Sequence, residues 1–143
     1  MKIRDLLATK GDAVESIALD GTVADVVARL TRLGIGALIV SGSTGTVDGI
    51  ISERDVVRVL AVHGHDALSR RVGDEMSSPV TTCSPDDDVT SLMSLMTERR
   101  IRHLPVVEAG RLVGIVSIGD VVKSRVDQLE RDRKELLEYV SAR

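Results

Sequence analysis

Two stretches of this sequence place a serine and an aspartate three residues apart behind a glycine-led apolar run. They are Gly49-Ile50-Ile51-Ser52-Glu53-Arg54-Asp55 and Gly114-Ile115-Val116-Ser117-Ile118-Gly119-Asp120. An apolar run that ends in serine reads as a strand feeding a helix. The N-terminus of a helix presents free N–H groups and the positive end of its dipole, so an anion fits there. The serine hydroxyl adds one hydrogen bond, and the aspartate one turn in can accept from two neighbouring hydroxyls of a ligand. The same Ser-x-x-Asp spacing is close to a capping box, in which the two side chains satisfy backbone N–H groups. Both roles can coexist. Gly49 and Gly114 would let other groups approach the backbone closely.

Three further groups could do chemistry. Arg102 and His103 form a basic pair at the start of an apolar run, where Gly36 and Ala37 stand in the corresponding earlier stretch. Such a pair suits phosphate or is a solvated strand end. Arg54 is a second phosphate candidate, or a plain surface arginine; its counterpart is the uncharged Gly119. His63-Gly64-His65-Asp66 holds two histidines and an acid, but no further ligand cluster supports a metal site, and an exposed linker is the simpler reading. Cys83 is the single cysteine, so neither an internal disulfide nor a cysteine-rich metal site is available. Met93 and Met96 stand at helical spacing and read as core.

The elements that must position these residues come from an internal repeat. The Gly49 stretch returns at an offset of 65, and Ile35–Val40 returns as Ile101–Val106 at 66. Val23, Val26, Val27 and Leu30 return as Val89, Leu92, Met93 and Met96, again at 66. Ile3-Arg4-Asp5-Leu6-Leu7 resembles Val72-Gly73-Asp74-Glu75-Met76. The slip falls in the turn Ser41-Gly42-Ser43-Thr44-Gly45-Thr46. Each unit reads as β-α-β-β-α. A short strand is expected at Val14–Ile17 and Val80–Cys83. A helix follows on the 23, 26, 27, 30 face, with Thr22 as cap and Gly34-Ile35-Gly36 as stop. Asp86-Asp87-Asp88 suits the start of its copy. Strands at Ala37–Val40 and Val47–Ile51, with Leu112–Val116 as the later copy of the second, lead into helices that begin at Ser52 and Ser117. The fold class is α/β (α+β), with the two repeats packed pseudo-symmetrically sheet to sheet and clefts between them. A unit of about 60 residues is marginal alone. The division is 1–66 for the first repeat, 67–125 for the second and 126–143 for a helical extension. In that tail Val122, Val126, Leu129, Leu136 and Val140 form a coiled-coil-like seam broken by Arg133, favouring a dimer contact.

Ile101-x-x-Leu104-Pro105-Val106 followed by Leu112-Val113-Gly114-Ile115-Val116-Ser117-x-x-Asp120 resembles the cystathionine-β-synthase (CBS) domain. Two copies in register over residues 1–125 resemble a tandem CBS pair, or Bateman module, of the small stand-alone bacterial kind. The resemblance implies a regulatory sensor that binds adenosine-containing ligands (AMP, ADP, ATP, NAD, sometimes S-adenosylmethionine) and pairs as a disk-shaped homodimer. It gives Asp120 and Asp55 the role of accepting the ribose hydroxyls. It lines the adenine slot with the short strand before each first helix and with the Leu-Pro-Val strand. Ile17, Val80, Thr82 and Pro105 are therefore adenine candidates. Ser52, Arg54, Asp55, Arg102, His103, Ser117 and Asp120 complete the nucleotide site. Ile39 stands where the second copy has Pro105, a departure from the family pattern. The half carrying Arg102 and His103 is expected to hold phosphate better.

Composition narrows the alternatives. Net charge is −3, with one tyrosine and no tryptophan or phenylalanine, so a basic surface with stacking platforms for nucleic acid is not expected. No apolar run approaches the roughly 18 residues of a membrane span. The start MKIRDLLATKGD is not a signal peptide, which makes the cytoplasm the default location. No Ser-His-Asp or Cys-His order, paired glutamates or metal cluster supports an enzyme, and Gly42-x-x-Gly45 lacks the lysine of a phosphate loop. The expectation is a non-enzymatic sensor with no catalytic cofactor and no metal, regulating a separate partner. The alternative is a dimerising scaffold without a ligand.

Overall fold

The computed structural model describes residues 1–43 and 45–142; Thr44, within the expected turn, and Arg143 lie outside the described residues. The chain runs α1 (Ile3–Lys10), β1 (Ser16–Ile17), α2 (Val23–Leu33), β2 (Ala37–Val40), β3 (Gly49–Ser52) and α3 (Glu53–His63). A 3-10 segment, Gly64–Ser69, leads to α4 (Val72–Glu75), α5 (Val89–Arg99), β4 (His103–Glu108), β5 (Arg111–Ser117) and α6 (Ile118–Ser141). No described helix is long and apolar enough to cross a membrane.

The local signals act as expected in the first repeat. Thr22 caps α2: its Oγ1 accepts from the Asp25 N–H at 3.2 Å, and Asp25 Oδ2 accepts from the Thr22 N–H at 3.1 Å. Gly34 ends the helix at φ 64°, in the left-handed region. Val23, Val26 and Leu30 are buried, whereas Val27 sits at the rim, 36% exposed. β1 pairs parallel with β2, and β2 pairs antiparallel with β3. All four residues of β2 are buried, as a short continuous apolar run predicts.

The second repeat departs in one element. Val80–Cys83 forms no strand; only Cys83 bridges, parallel to Val106. Its N–H donates to Pro105 O at 3.0 Å and its carbonyl accepts from the Val107 N–H at 2.8 Å. This is the same register as Ile17 opposite Val40, cut to a single residue. In the first repeat the Ile39 N–H donates to Glu15 O at 3.1 Å, whereas its counterpart Pro105 has no N–H, so the bond that would bring Thr82 into the ladder cannot form. The Asp86–Asp88 run does not cap α5 with a side chain. Asp87 Oδ2 accepts from the Ser84 N–H, Asp86 takes Arg4, and Asp88 faces the N-terminal ammonium at 3.6 Å.

Two hydrophobic cores result, and each takes a wedge from across the repeat boundary. Ile3 and Leu6 of α1 are buried with Leu92, Met96, Leu104, Val106 and Val116 of the second repeat. Ala67 and Val72, which precede the second repeat's own elements, are buried with Val23, Val26, Leu38, Ile51 and Val59 of the first. Burying each aliphatic side chain contributes about 1.5–3 kcal/mol. Matching backbone bonds fix both wedges. Ile3 donates to Asp87 O at 2.9 Å and Val72 to Gly21 O at 2.8 Å; Val89 donates to Met1 O at 3.0 Å and Val23 to Arg70 O at 2.9 Å. Gly49 and Gly114 serve these wedges rather than a ligand. A Cβ on Gly114 would lie 2.8 Å from Leu7 Cδ2, and one on Gly49 would collide with Met76. The seam residues of α6 are exposed, from Val122 at 46% to Leu136 at 63%; within that helix only Val121 is buried. The helix runs without a break through residues 125 and 126.

Candidate functional site

Two clefts lie where the repeats meet, and they share Gly36 and His103 as a partition. A Cβ on Gly36 would stand only 3.1 Å from the His103 ring, so the glycine lets the starts of β2 and β4 abut. Each cleft joins a helix start from one repeat to a strand start from the other. The first, about 390 Å³, is lined by Ser52, Arg54 and Asp55 together with Arg99, Arg100, Arg102 and His103. The second, about 330 Å³, is lined by Ser117 and Asp120 together with Gly36, Ala37, Lys10, Glu15 and His103. Arg102 therefore lines the cleft of Asp55 and not that of Asp120. Four arginines against Glu53 and Asp55 give the first cleft a net +2, whereas Lys10 against Glu15 and Asp120 leaves the second at −1.

Both Ser-x-x-Asp elements form their capping boxes. The Asp55 N–H donates to Ser52 Oγ at 3.4 Å and the Asp120 N–H to Ser117 Oγ at 3.2 Å. In return, Oδ2 of each aspartate accepts from its serine N–H at 2.9 Å. The Glu53 N–H donates to Gly36 O at 3.0 Å, and the Ile118 N–H to Arg102 O at 2.8 Å. Two of the first three N–H groups of each helix are thus already satisfied within the protein. The phosphate cradle expected at these helix starts is largely closed, and the cations that remain for an anion are side chains.

The two carboxylates differ in their other partners. Asp55 is 7% exposed. Its Oδ2 also accepts from Ser52 Oγ at 3.1 Å, and its Oδ1 accepts from Ser77 Oγ at 2.9 Å and Arg58 Nη2 at 3.1 Å. Asp120 is more open, with 26% of its side chain exposed. Its Oδ2 also accepts from Lys10 Nζ at 2.6 Å, while among the described residues Oδ1 accepts nothing. Burial opposes ionisation of Asp120, but the Lys10 ammonium and the Ser117 N–H and hydroxyl outweigh it and hold the carboxyl below the usual range. His103 moves the other way. Burial and the nearby Lys10 and Arg102 lower its pKa against the pull of Glu53 and Asp120. The imidazole is therefore neutral at pH 7 and supplies no cation for phosphate.

The adenine candidates lie elsewhere. Ile17 is in the first core, and its edge lines a separate shallow hollow with Ser41, Gly42 and Leu112. Pro105 is buried within β4, Val80 is half-buried and Thr82 is exposed; none of them lines either cleft. His63 turns to Glu75, Nε2 to Oε1 at 3.5 Å, and among the described residues no group of three or more His, Cys, Asp or Glu side chains could hold a metal ion. Cys83 is buried, and that burial pushes its thiol up to about 12. Lys10, Arg58, Ser77, Arg99 and Arg100 were missed. They reach the aspartates or clefts from distant segments or a helix end, and only the Ser52–Arg58 neighbourhood carries a local signal: Asp55 and Arg58 are three residues apart on one helix.

The family model described as the CBS domain matches residues 3–62 and 72–127. This chain belongs to the CBS-domain family. It is 37% identical to the mitochondrial CBS domain-containing protein CBSX3 of Arabidopsis thaliana, over 96% of this chain and 71% of that protein. It is 28% identical to arabinose 5-phosphate isomerase GutQ of Escherichia coli, over 84% of this chain but 37% of that enzyme. Among solved structures, the CBS-domain containing protein ATU1752 from Agrobacterium tumefaciens has a TM-score of 0.85 and 40% identity, covering 87% of this chain and 99% of that one. A putative signal-transduction protein with CBS domains from Burkholderia ambifaria has 0.83 and 32%, covering 89% and 95%. The tandem CBS pair and its mixed α/β architecture with a long C-terminal helix therefore stand as read from the repeat.

Proposed function

We propose that this CBS pair is a non-enzymatic cytoplasmic sensor that binds an adenosine-containing ligand (AMP, ADP, ATP or NAD) between its repeats and regulates a separate partner protein. The observation that carries this reading is Asp120. It is a charged carboxylate on the wall of a cleft of about 330 Å³, with one oxygen unclaimed among the described residues and so available to ribose hydroxyls. The arginines of the adjoining cleft favour a ligand with phosphates. A ligand regulates only if it binds one state of the protein better than another. The test is a thermal-shift panel of AMP, ADP, ATP and NAD against wild type and Asp120→Ala. A ligand at about 100 times its Kd stabilises by about 2.7 kcal/mol, a rise of several degrees for a chain this size. The expected result is a rise with at least one nucleotide that Asp120→Ala abolishes. No rise at millimolar concentration overturns the reading.

A second observation favours self-association. Val57 and Leu60 on α3 and Val122 and Val126 on α6 leave apolar side chains 44–65% exposed. A homodimer through these helices agrees with the ligand reading and is also what a pure scaffold would need. Sedimentation with and without nucleotide separates the two: a dimer that no nucleotide binds favours the scaffold.

A further inference from the structure

The C-terminal turn of α1 reaches into the Asp120 cleft. Lys10, its last residue, donates from Nζ to Ile115 O at 2.5 Å and to Asp120 Oδ2 at 2.6 Å. The ammonium thus holds one oxygen of the carboxylate and a neighbouring strand carbonyl, from two residues that line the cleft. Lys10 and Asp120 also line a groove of about 380 Å³ along α1 and α6, where Asp127 offers a second carboxylate beside Lys123 and Arg131. The Lys10–Asp120 pair is therefore the wall between cleft and groove. Beyond it, Gly11 takes φ 102°, and the chain turns back so that Ala13 and Glu15 line the same cleft. The first repeat has no equivalent. The counterpart of α1 beside the first core, α4, is a single turn, and Asp55 is held by Ser77 and Arg58 instead.

We infer that Lys10 is an internal occupant of the Asp120 cleft: one of a ligand's paired hydroxyls can take the unclaimed Oδ1, and the second takes Oδ2 only after the ammonium has swung out toward the α1–α6 groove. This rests on the nucleoside reading of the cleft. A competitor built into the chain lowers apparent affinity by the fraction of molecules in which it is bound. It also couples occupancy to structure, because expelling Lys10 unties the last turn of α1 from β5 and Asp120. Ile3 and Leu6 anchor the rest of α1 in the second core, so the movement is confined to that turn and the Gly11–Glu15 loop.

Adenosine is the probe, since without a phosphate it cannot recruit Lys10 as a binding group. Titration calorimetry on wild type, Lys10→Met and Lys10→Arg should show Lys10→Met binding about three- to tenfold more tightly, the scale of one partly exposed charged hydrogen bond. Lys10→Arg, which keeps a cation in place, should stay near wild type. Hydrogen exchange of the Leu7–Gly11 amides should rise when adenosine binds wild type. In Lys10→Met it should already be high and should not change. Equal or weaker binding by Lys10→Met overturns the inference while leaving the nucleoside reading intact. Absence of adenosine binding to both proteins overturns both.

Discussion

Asp55 and Asp120 hold the same place in their repeats, follow the same serine and form the same cap. Asp55 is then closed in by Ser77 and Arg58, while Asp120 keeps one oxygen unclaimed among the described residues and shares the other with Lys10. The arginines lie in the first cleft and the accessible carboxylate lines the second. Duplication therefore copied the scaffold, and the segments outside the copied motif decided what each cleft can recognise. One cleft is suited to anions, the other to hydroxyls.

The largest test of that comparison concerns the two cores. Leu38 and Leu104 are repeat equivalents and both are fully buried. Alanine at either should cost about 2–5 kcal/mol in urea unfolding. Because each core holds a wedge from across the boundary, both variants should shift one shared transition. Two separate transitions would show that the repeats unfold independently.

The aspartates come next. Asp55→Ala leaves Ser77 without its acceptor and Arg58 with Glu75 alone, and should cost about 1–3 kcal/mol. Asp120→Ala, at a more exposed pair, should cost less than about 1 kcal/mol. Nucleotide binding should show the opposite ranking, with Asp120→Ala the more damaging. If Asp55→Ala abolishes binding without loss of stability, the division of labour between the clefts is wrong.

The smallest effect is the pH response of His103, whose repeat equivalent is the non-titrating Ala37. Its pKa is lowered in the folded protein, so the unfolded chain binds the proton more readily. The stability this contributes is complete above the ordinary histidine value of about 6.5 and is lost as pH falls through the folded value. Thermal midpoints measured from pH 7.5 to 5 should therefore drop, and His103→Gln should flatten the drop. An unchanged slope in His103→Gln would assign the drop to other groups.

Much of this was legible in the residues themselves. The offset of the copies, the Thr22 cap, the Gly34 stop and the all-apolar β2 each state a local preference that the fold keeps. The Ser-x-x-Asp elements announced helix starts for the same reason. That Arg102 shares a cleft with Asp55 was not legible, because it depends on how two units dock and not on either unit alone. Ser77 reaches Asp55 from 22 residues away and Lys10 reaches Asp120 from 110, distances over which no spacing rule operates. The single-residue bridge at Cys83 follows from Pro105 on the partner strand, which lacks the N–H that Ile39 supplies in the first repeat.

The crossed wedges carry a meaning for how the chain can be divided. Ile3 and Leu6 complete the far core and Ala67 and Val72 the near one, with the same backbone bonds on each side. This is the arrangement two identical single-repeat chains would make by trading their leading arms. Neither half can be lifted out as a finished module, since each would leave carrying the stopper that belongs to its sibling. The chain is thus a linked pair of exchanged arms, in which removing either repeat uncovers the core of the other.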